Sequence, residues 1–336
     1  MVDTYLTCDF CWHMCRIPLG GVGLCHVRAN REGKLVTLGW GEVLASSIDP
    51  IEKKPLYHVL PGVKTYSIAL FGCNYSCKFC QNHQLSQIDS PLWPGHPEYR
   101  VKSIVTPEEV VKDFERSGCP IMSYTYSEPI VWQDYMLAVA QQVRKLGKIN
   151  CMVTNGSFSE KSLERLLDVI DVFNIDIKGD ELFYRQYCSA SLVPVLRGIQ
   201  EIAQRSDKVL EVTTMIIEGI HTKSMIRSLA QSLVDAKVHV WHLSRFFPHY
   251  QMRDRAPTSE RFLESMLLIA EEAGIPYVYA GNSSLGSWER TVCPHCKTTL
   301  IHTHSYSGEA TKEAKRTIID GRCANCGEPI YGLFTR

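Results

Sequence analysis

The sequence lacks several features that mark common classes of protein. Basic and acidic residues both number 36, so the formal net charge is zero, and the charge balance does not indicate nucleic acid or an anionic membrane as a partner. No apolar run approaches the roughly 20 residues of a membrane helix, and the N-terminus, MVDTYLTCDF, has no basic segment followed by an apolar one. We therefore expect a cytoplasmic protein that binds neither nucleic acid nor a membrane.

A dinucleotide-binding fold is also unsupported, because no G-x-G-x-x-G motif follows any predicted strand. From residue 64 to about residue 280, apolar strands alternate with helical patterns in six βα units. Such near-continuous apolar strands indicate a parallel sheet that is buried on both faces. The predicted fold class is therefore α/β, a partial (βα)6 barrel of the TIM-like type with a small cysteine-rich, metal-binding module at each end.

Cysteine, by contrast, is abundant. The chain has 14 cysteines, mostly in local clusters, which in a reducing cytoplasm indicates metal ligation rather than disulfides. Their distribution predicts three parts: a four-cysteine module at 1–35, the barrel at 36–280 with a linker over 36–62, and a second cysteine-rich module at 281–336. Three cysteines stand alone and are expected to be small buried residues: Cys119, Cys151 and Cys188.

The most informative cysteines lie in CNYSCKFC, directly after an apolar strand, where Cys73, Cys77 and Cys80 have the spacing C-x3-C-x2-C. A [4Fe–4S] cubane normally takes four thiolates, so three leave one iron open to bind a small molecule. The alternative is a structural zinc site, for which His83 could supply the fourth ligand. The spacing and the position after a strand favour the open cluster, which makes these three cysteines the predicted catalytic residues.

Polar residues also follow the predicted strands at their carboxyl ends, where βα barrels carry their functional groups. We predict that these residues bind the cofactor or the substrate. They are Tyr126, Ser127 and Glu128 after the second strand, Thr154 and Asn155 after the third, Asp176 and Lys178 after the fourth, and His242 and Arg245 after the sixth. Two alternatives remain: an ion pair between Asp176 and Lys178, and a rim position without a ligand for His242 and Arg245.

The cysteine loop, with Phe79 before its last cysteine, resembles that of the radical S-adenosylmethionine (SAM) superfamily. Further segments, among them TYSEP, VTNG, NIDIKG, RFFPHYQM and YVYAGN, resemble the AmmeMemoRadiSam group, relatives of pyruvate formate-lyase activating enzyme. The resemblance implies an oxidoreductase that reductively cleaves SAM to a 5′-deoxyadenosyl radical and abstracts hydrogen from a protein or peptide. It further implies that TYSEP contacts the methionine ammonium of SAM, through Glu128 or the backbone nearby.

The same resemblance implies a [4Fe–4S] cluster, SAM and an electron donor such as flavodoxin or ferredoxin. It makes Memo-like and AMMECR-type proteins candidate partners. A radical SAM enzyme that acts on a small molecule or a free amino acid is the alternative within the enzyme class. A zinc-binding interaction protein without catalysis is the alternative of another class.

The tail of the chain carries two C-x2-C knuckles, in CPHC and CANCG, which are typical of zinc ribbons and rubredoxins. Their cysteines are Cys293, Cys296, Cys323 and Cys326. Zinc is the favoured metal because four thiolates make its common structural site, and iron is the alternative. The nearby His295, His302 and His304 are expected at the surface, since four thiolates already complete a tetrahedron.

The head of the chain carries a second four-cysteine set. Cys8, Cys11, Cys15 and Cys25 have the spacing C-x2-C-x3-C-x9-C, which fits either zinc or a second iron–sulfur cluster. We favour zinc, because loop-rich modules at chain ends usually use it as a structural staple.

Overall fold

An eight-stranded sheet organises the chain, of which the computed structural model describes residues 5–302 and 309–335. Seven strands are parallel, and the first runs antiparallel to its neighbour. In chain order they are β1 (Ala45–Pro50), β2 (Lys64–Ala69), β3 (Ile121–Tyr124), β4 (Ile149–Thr154), β5 (Val172–Asp176), β6 (Val209–Ile216), β7 (Val240–Arg245) and β8 (Tyr277–Gly281). The order in the sheet follows the chain from β1 to β8, and these two strands form its open edges.

Six helices connect the parallel strands and pack against the sheet. They are α1 (Pro107–Ser117), α2 (Gln133–Lys145), α3 (Glu160–Leu167), α4 (Val193–Ala203), α5 (Lys223–Asp235) and α6 (Glu260–Glu272). Helix α1 shows how the sequence sets their limits. Thr106 and Glu109 form a capping box at its start, which stabilises such a helix by about 1 kcal/mol. Gly118 ends it with a left-handed backbone, at φ 69°.

The predicted fold class is confirmed, because six βα units build a mostly parallel, open barrel. Strand β8 adds a seventh parallel strand to the six that were expected. The prediction of a linker over 36–62 is wrong, since this segment contains β1, which pairs with β2 along its whole length. The sequence of β1, ASSIDP, is only partly buried and largely polar, so it gives no apolar signal.

A continuous apolar core lies between the sheet and the helices. Its largest fully buried side chains include Trp132, Trp241, Tyr124 and Phe173. Burying a large apolar side chain contributes roughly 1.5–3 kcal/mol. This core holds the carboxyl ends of the parallel strands in place, and those ends are where a βα barrel presents its functional groups.

The head forms two short hairpins, one pairing Tyr5–Thr7 with Arg16–Pro18 and the other pairing Arg28–Arg31 with Lys34–Thr37. Arg28 of the second hairpin pairs with Asp134 of α2 at 2.8 Å. The tail contains the strands Arg290–Val292 and Thr299–His302, the helix Glu309–Thr317, and the strands Ile318–Ile319 and Arg322–Cys323. Its last residues are joined to the barrel, because Leu333 N donates to His58 O at 2.7 Å and Leu60 N donates to Leu333 O at 2.7 Å.

His295 and His302 are exposed, as expected, and His304 lies outside the described residues. The three lone cysteines, Cys119, Cys151 and Cys188, are all buried. None of the helices formed by residues 5–302 and 309–335 is long and apolar enough to cross a membrane.

Candidate functional site

One cavity of about 450 Å³ lies where the cysteine loop meets the carboxyl ends of the parallel strands. Cys73, Cys77 and Cys80 line it. Seven of the nine predicted strand-end residues line it as well: Tyr126, Ser127, Glu128, Thr154, Asn155, Asp176 and Lys178. The sequence separates these residues by more than 100 positions, and the barrel topology brings them together at one edge of the sheet.

The backbone of the cysteine loop is hydrogen-bonded to the π-helical turn Tyr184–Cys188. Ser76 N donates to Cys188 O at 2.9 Å, and Lys78 N donates to Tyr187 O at 2.9 Å, so both flanks of Cys77 are fixed. Phe79 packs against Phe183 with 5.6 Å between ring centroids. The loop therefore keeps its shape through contacts that do not involve the thiols.

Cys77 of this loop is buried, and Cys73 and Cys80 are partly buried, which affects the protonation of all three thiols. Burial raises the pKa of the Cys73 thiol well above its ordinary value, and the nearby carboxylate of Glu128 adds to this rise. Burial likewise raises the pKa of Cys80 to about 11. Without a metal the thiols are therefore neutral, and metal binding must release their protons.

Glu128 connects the ends of two neighbouring strands at the wall of the cavity. Its carboxylate accepts hydrogen bonds from Thr154 Oγ1 at 2.6 Å, from Asn155 N at 2.8 Å and from Ile130 N at 3.1 Å. Burial raises the pKa of Glu128 to about 7, although these three donors oppose the rise. The side chain can therefore change its charge near neutral pH.

Tyr126 has an unusual backbone, with φ at +67°, a conformation that is uncommon for a residue other than glycine. Two side chains hold it there. Asn82 Nδ2 donates to the main-chain oxygen of Tyr126 at 2.8 Å, and the Tyr126 hydroxyl donates to Asp49 Oδ2 at 2.6 Å. Asp49 lies on β1, so the antiparallel edge strand helps to position a cavity residue.

Asp176 and Lys178 form an ion pair of 2.8 Å and both line the cavity, so the two interpretations of this pair are compatible. Lys178 Nζ lies near the Cys77 thiol as well. Burial alone would lower the pKa of Lys178, but the neighbouring carboxylate of Asp176 outweighs it and raises the pKa. A lysine cation beside one cysteine of the loop would stabilise its thiolate form.

The structure places His242 and Arg245 away from the cavity lining. Strand β7 runs from Val240 to Arg245, so His242 lies within the strand rather than after it, and its Nε2 pairs with the buried Glu211 at 2.6 Å. Arg245 ends the strand, but its Nε donates to the main-chain oxygen of Thr258 at 2.7 Å. Both side chains are thus engaged by protein partners.

Sequence reasoning missed several residues of the lining. Gly281 is the last residue of β8 and Asn282 follows it, and Glu52 and Tyr57 come from the segment before β2. Gly281 and Asn282 could have been predicted from the sequence. YVYAG is an apolar strand followed by Asn282, just as polar residues occur at the ends of the other strands that line the cavity. Glu52 lies in the short 3-10 turn Ile51–Lys53 and Tyr57 in irregular backbone, and periodicity gives no signal for either.

The tail cysteines converge as the two knuckles predict. Cys293 Sγ and Cys326 Sγ are 3.6 Å apart, and Cys296 Sγ and Cys323 Sγ are 3.7 Å apart. In residues 5–302 and 309–335, this is the only set with at least three such ligand atoms all within 4.8 Å of one another. Hydrogen bonds from Asn325 and from Thr298 lower the pKa of Cys296 to about 5, which favours the metal-binding thiolate.

The head cysteines line a second, smaller cavity, together with the side chain of Arg28. The head set is therefore also brought together, but with wider spacing between its sulfur atoms than in the tail.

The barrel site fits a cluster with one open iron. Three thiols face a cavity whose other walls carry carboxylate, amide, hydroxyl and ammonium groups. The sulfur atoms of Cys73, Cys77 and Cys80 are more widely spaced than those of the tail cysteines. Wider spacing suits a cubane better than a single ion, because a cubane distributes its ligands around four irons. His83, the fourth ligand of the zinc alternative, stacks on Tyr250 with 4.8 Å between ring centroids.

Comparison with known proteins agrees with this geometry. Residues 68–233 match the model of the radical SAM superfamily. Uncharacterized protein MJ0808 of Methanocaldococcus jannaschii is 36% identical over 98% of this chain and 96% of its own length. Uncharacterized protein MJ0674 of the same organism is 21% identical over 82% of this chain and 78% of its own length.

Two solved structures are more weakly similar to this chain, each with a TM-score below 0.5. A domain of pyruvate-formate lyase-activating enzyme from Bacteroides vulgatus is 16% identical, covering 48% of this chain and 98% of that chain, with a TM-score of 0.41. SuiB of Streptococcus suis, bound to the precursor peptide SuiA, is 11% identical, covering 70% of this chain and 52% of that chain, with a TM-score of 0.49. The family match establishes that residues 68–233 form a radical SAM superfamily domain, and the chain as a whole belongs to the same family as MJ0808.

Proposed function

We propose that Cys73, Cys77 and Cys80 bind a [4Fe–4S] cluster, and that the protein uses SAM to abstract a hydrogen atom from a protein or peptide, as activating enzymes do. Membership of the superfamily implies the cluster and SAM. One observation carries the proposal: the three cysteines share a single cavity with seven polar strand-end residues. A structural metal site would need no such cavity.

When bound and reduced, the cluster supplies the electron that cleaves SAM into methionine and the 5′-deoxyadenosyl radical. The side chains of the cavity then have distinct tasks. Glu128, or the backbone beside it, accepts hydrogen bonds from the methionine ammonium. Thr154 and Asn155 line the path of the cofactor, and Asp176 and Lys178 contact the ribose, the carboxylate or the substrate. Tyr75, Cys77 and Phe79 of the cysteine loop are buried and would shield one side of the cluster from water.

A protein or peptide substrate is supported by the sequence of the strand ends. VTNG and NIDIKG, which end β4 and β5, resemble the corresponding segments of glycyl-radical activating enzymes. Both segments contribute to the cavity through Thr154, Asn155, Asp176 and Lys178. A reduced flavodoxin or ferredoxin would deliver the electron, in the cytoplasm, and Memo-like and AMMECR-type proteins are the first candidates for the substrate.

We also propose that the chain works as three parts, the head over 1–35, the barrel over 36–280 and the tail over 281–336. The contacts of Leu333 with His58 and Leu60 support a tail that is docked on the barrel rather than loosely tethered.

Deuterium transfer tests the substrate class. Candidate partner proteins and free amino acids, both deuterated, are incubated separately with reduced enzyme and SAM, and 5′-deoxyadenosine is examined by mass spectrometry. We expect deuterium from a protein and none from the amino acids. Deuterium from amino acids alone would reject the protein substrate while leaving the radical SAM assignment intact.

A further inference from the structure

The head cavity is lined by Cys8, Cys11, Cys15, Cys25 and Arg28. Three of the cysteines are less than 8% exposed, and so is the arginine. The Nε of Arg28 is buried and has no hydrogen-bond partner, although its terminal nitrogen pairs with Asp134 at 2.8 Å. A buried, unsatisfied cationic donor beside four thiols indicates that the cavity holds an anionic group.

The spacing of the thiols distinguishes between the two metals that the sequence left open. Four thiolates around zinc lie about 2.3 Å from the metal, so their sulfurs are about 3.8 Å apart. The tail set has this spacing, at 3.6 and 3.7 Å. In the head, no three of the four sulfurs all come within 4.8 Å of one another.

We propose that Cys8, Cys11, Cys15 and Cys25 bind a second [4Fe–4S] cluster, which passes electrons to the barrel site. Four thiolates would complete all four irons, so this cluster has no open position and binds no substrate. Arg28 would donate from Nε to the anionic cluster. The proposal replaces the zinc staple that the sequence favours.

The contacts around Asn74 support an electron-transfer role. Asn74 directly follows Cys73, and its side chain lies at the thiol of Cys11. His13 Nε2 donates to the main-chain oxygen of Asn74 at 3.2 Å, and Asn155 Nδ2 donates to its side-chain oxygen at 2.8 Å. One residue thus touches both cysteine sets, which places the two sites next to each other.

The transfer requires a one-electron donor of the reduced flavodoxin or ferredoxin type. The donor is oxidised by one electron, the head cluster is reduced and then reoxidised, and the barrel site gains the electron. No bond forms or breaks and no proton moves. The head cluster itself is independent of the proposed function. Only the transfer of its electron to the barrel site rests on the proposed function.

Iron counting on the triple variant Cys73→Ala/Cys77→Ala/Cys80→Ala tests the head site in isolation. After anaerobic reconstitution of the full chain, we expect about four irons and four sulfides per chain, against about eight of each in the unaltered protein. Adding Cys11→Ala to the triple variant should remove that iron. Essentially no iron in the triple variant, with two zinc ions per chain, would overturn the proposal.

The unaltered protein gives a second measurement that does not depend on how the variant folds. About eight irons per chain support the head cluster, and about four irons with two zinc ions refute it. For the relay, Cys11→Ala should cleave SAM several-fold more slowly with reduced flavodoxin while keeping the barrel iron. Equal rates for Cys11→Ala and unaltered protein would overturn the relay. The triple variant lacks the barrel ligands, so its iron count tests the head site alone, whether or not the barrel assignment is correct.

Discussion

Thr154 donates a hydrogen bond of 2.6 Å to the carboxylate of Glu128, and so joins the end of β4 to the residues that follow β3. Both residues line the cavity. Burial raises the pKa of this carboxylate to about 7, well above the ordinary 4.5. The group is therefore ionised above neutral pH and protonated below it, and its charge should influence how the cavity binds a cation.

We predict that the affinity for SAM depends on pH through Glu128. Below about pH 7 the carboxyl group is neutral, so a ligand with an ammonium group must displace its proton. The affinity of unaltered protein should therefore fall by up to about tenfold per pH unit below pH 7, relative to Glu128→Gln. Equilibrium binding to cluster-loaded protein at several pH values measures this. Parallel pH profiles for the two proteins would contradict the role of Glu128.

Lys178 and Asp176 should shift the reduction potential in opposite directions. Reduction adds negative charge to the barrel site, and the lysine cation near Cys77 stabilises that charge. Lys178→Met should lower the potential and Asp176→Asn should raise it, each by an amount on the order of tens of millivolts. Redox titration followed by electron paramagnetic resonance gives both values. Shifts of the same sign would show that charge is not the cause.

His242 should contribute to stability rather than to SAM binding. It pairs with the fully buried Glu211, which also accepts hydrogen bonds from the main-chain nitrogens of Tyr57 and His58. His242→Ala leaves this buried carboxylate without the imidazole with which it pairs, and the free energy of unfolding should fall by roughly 3–5 kcal/mol. Chemical denaturation measures the loss. A stable variant with weakened SAM binding would instead indicate a role at the cofactor.

The tail metal should be separable from the barrel site. Cys323→Ser removes one of four thiolates and should abolish one bound zinc per chain and lower the melting temperature, because such knuckles fold around their metal. Iron in the barrel should remain, since its three ligands lie elsewhere. Elemental analysis and thermal unfolding check both points. Loss of barrel iron from a variant that stays folded would show that the two sites are coupled.

The sequence identified those parts of the molecule whose signal is local. The spacing of Cys73, Cys77 and Cys80 and the six apolar strands are read directly from short segments, and both were recognised. Strand β1 was not predicted because its residues are largely polar. Its backbone is held in the sheet by pairing with β2, and such tertiary pairing cannot be inferred from the β-propensity of a short segment. His242 was misplaced because β7 continues three residues beyond it.

The terminal metal sites show a different limit. Cysteine spacing alone fits zinc or an iron–sulfur cluster in the head, and zinc or a single iron in the tail. The sulfur–sulfur distances of 3.6 and 3.7 Å in the tail, and the wider arrangement around Cys11 in the head, exist only in three dimensions.

Cleavage of SAM by the anaerobically reconstituted and reduced protein tests the central claim most directly. The unaltered protein and Cys119→Ala, which removes a lone buried thiol that is not part of the cavity lining, should both produce 5′-deoxyadenosine and methionine in equal amounts. Cys77→Ala should produce neither, because two thiolates do not hold the cluster. Formation of 5′-deoxyadenosine by Cys77→Ala at the unaltered rate would contradict the assignment of this site.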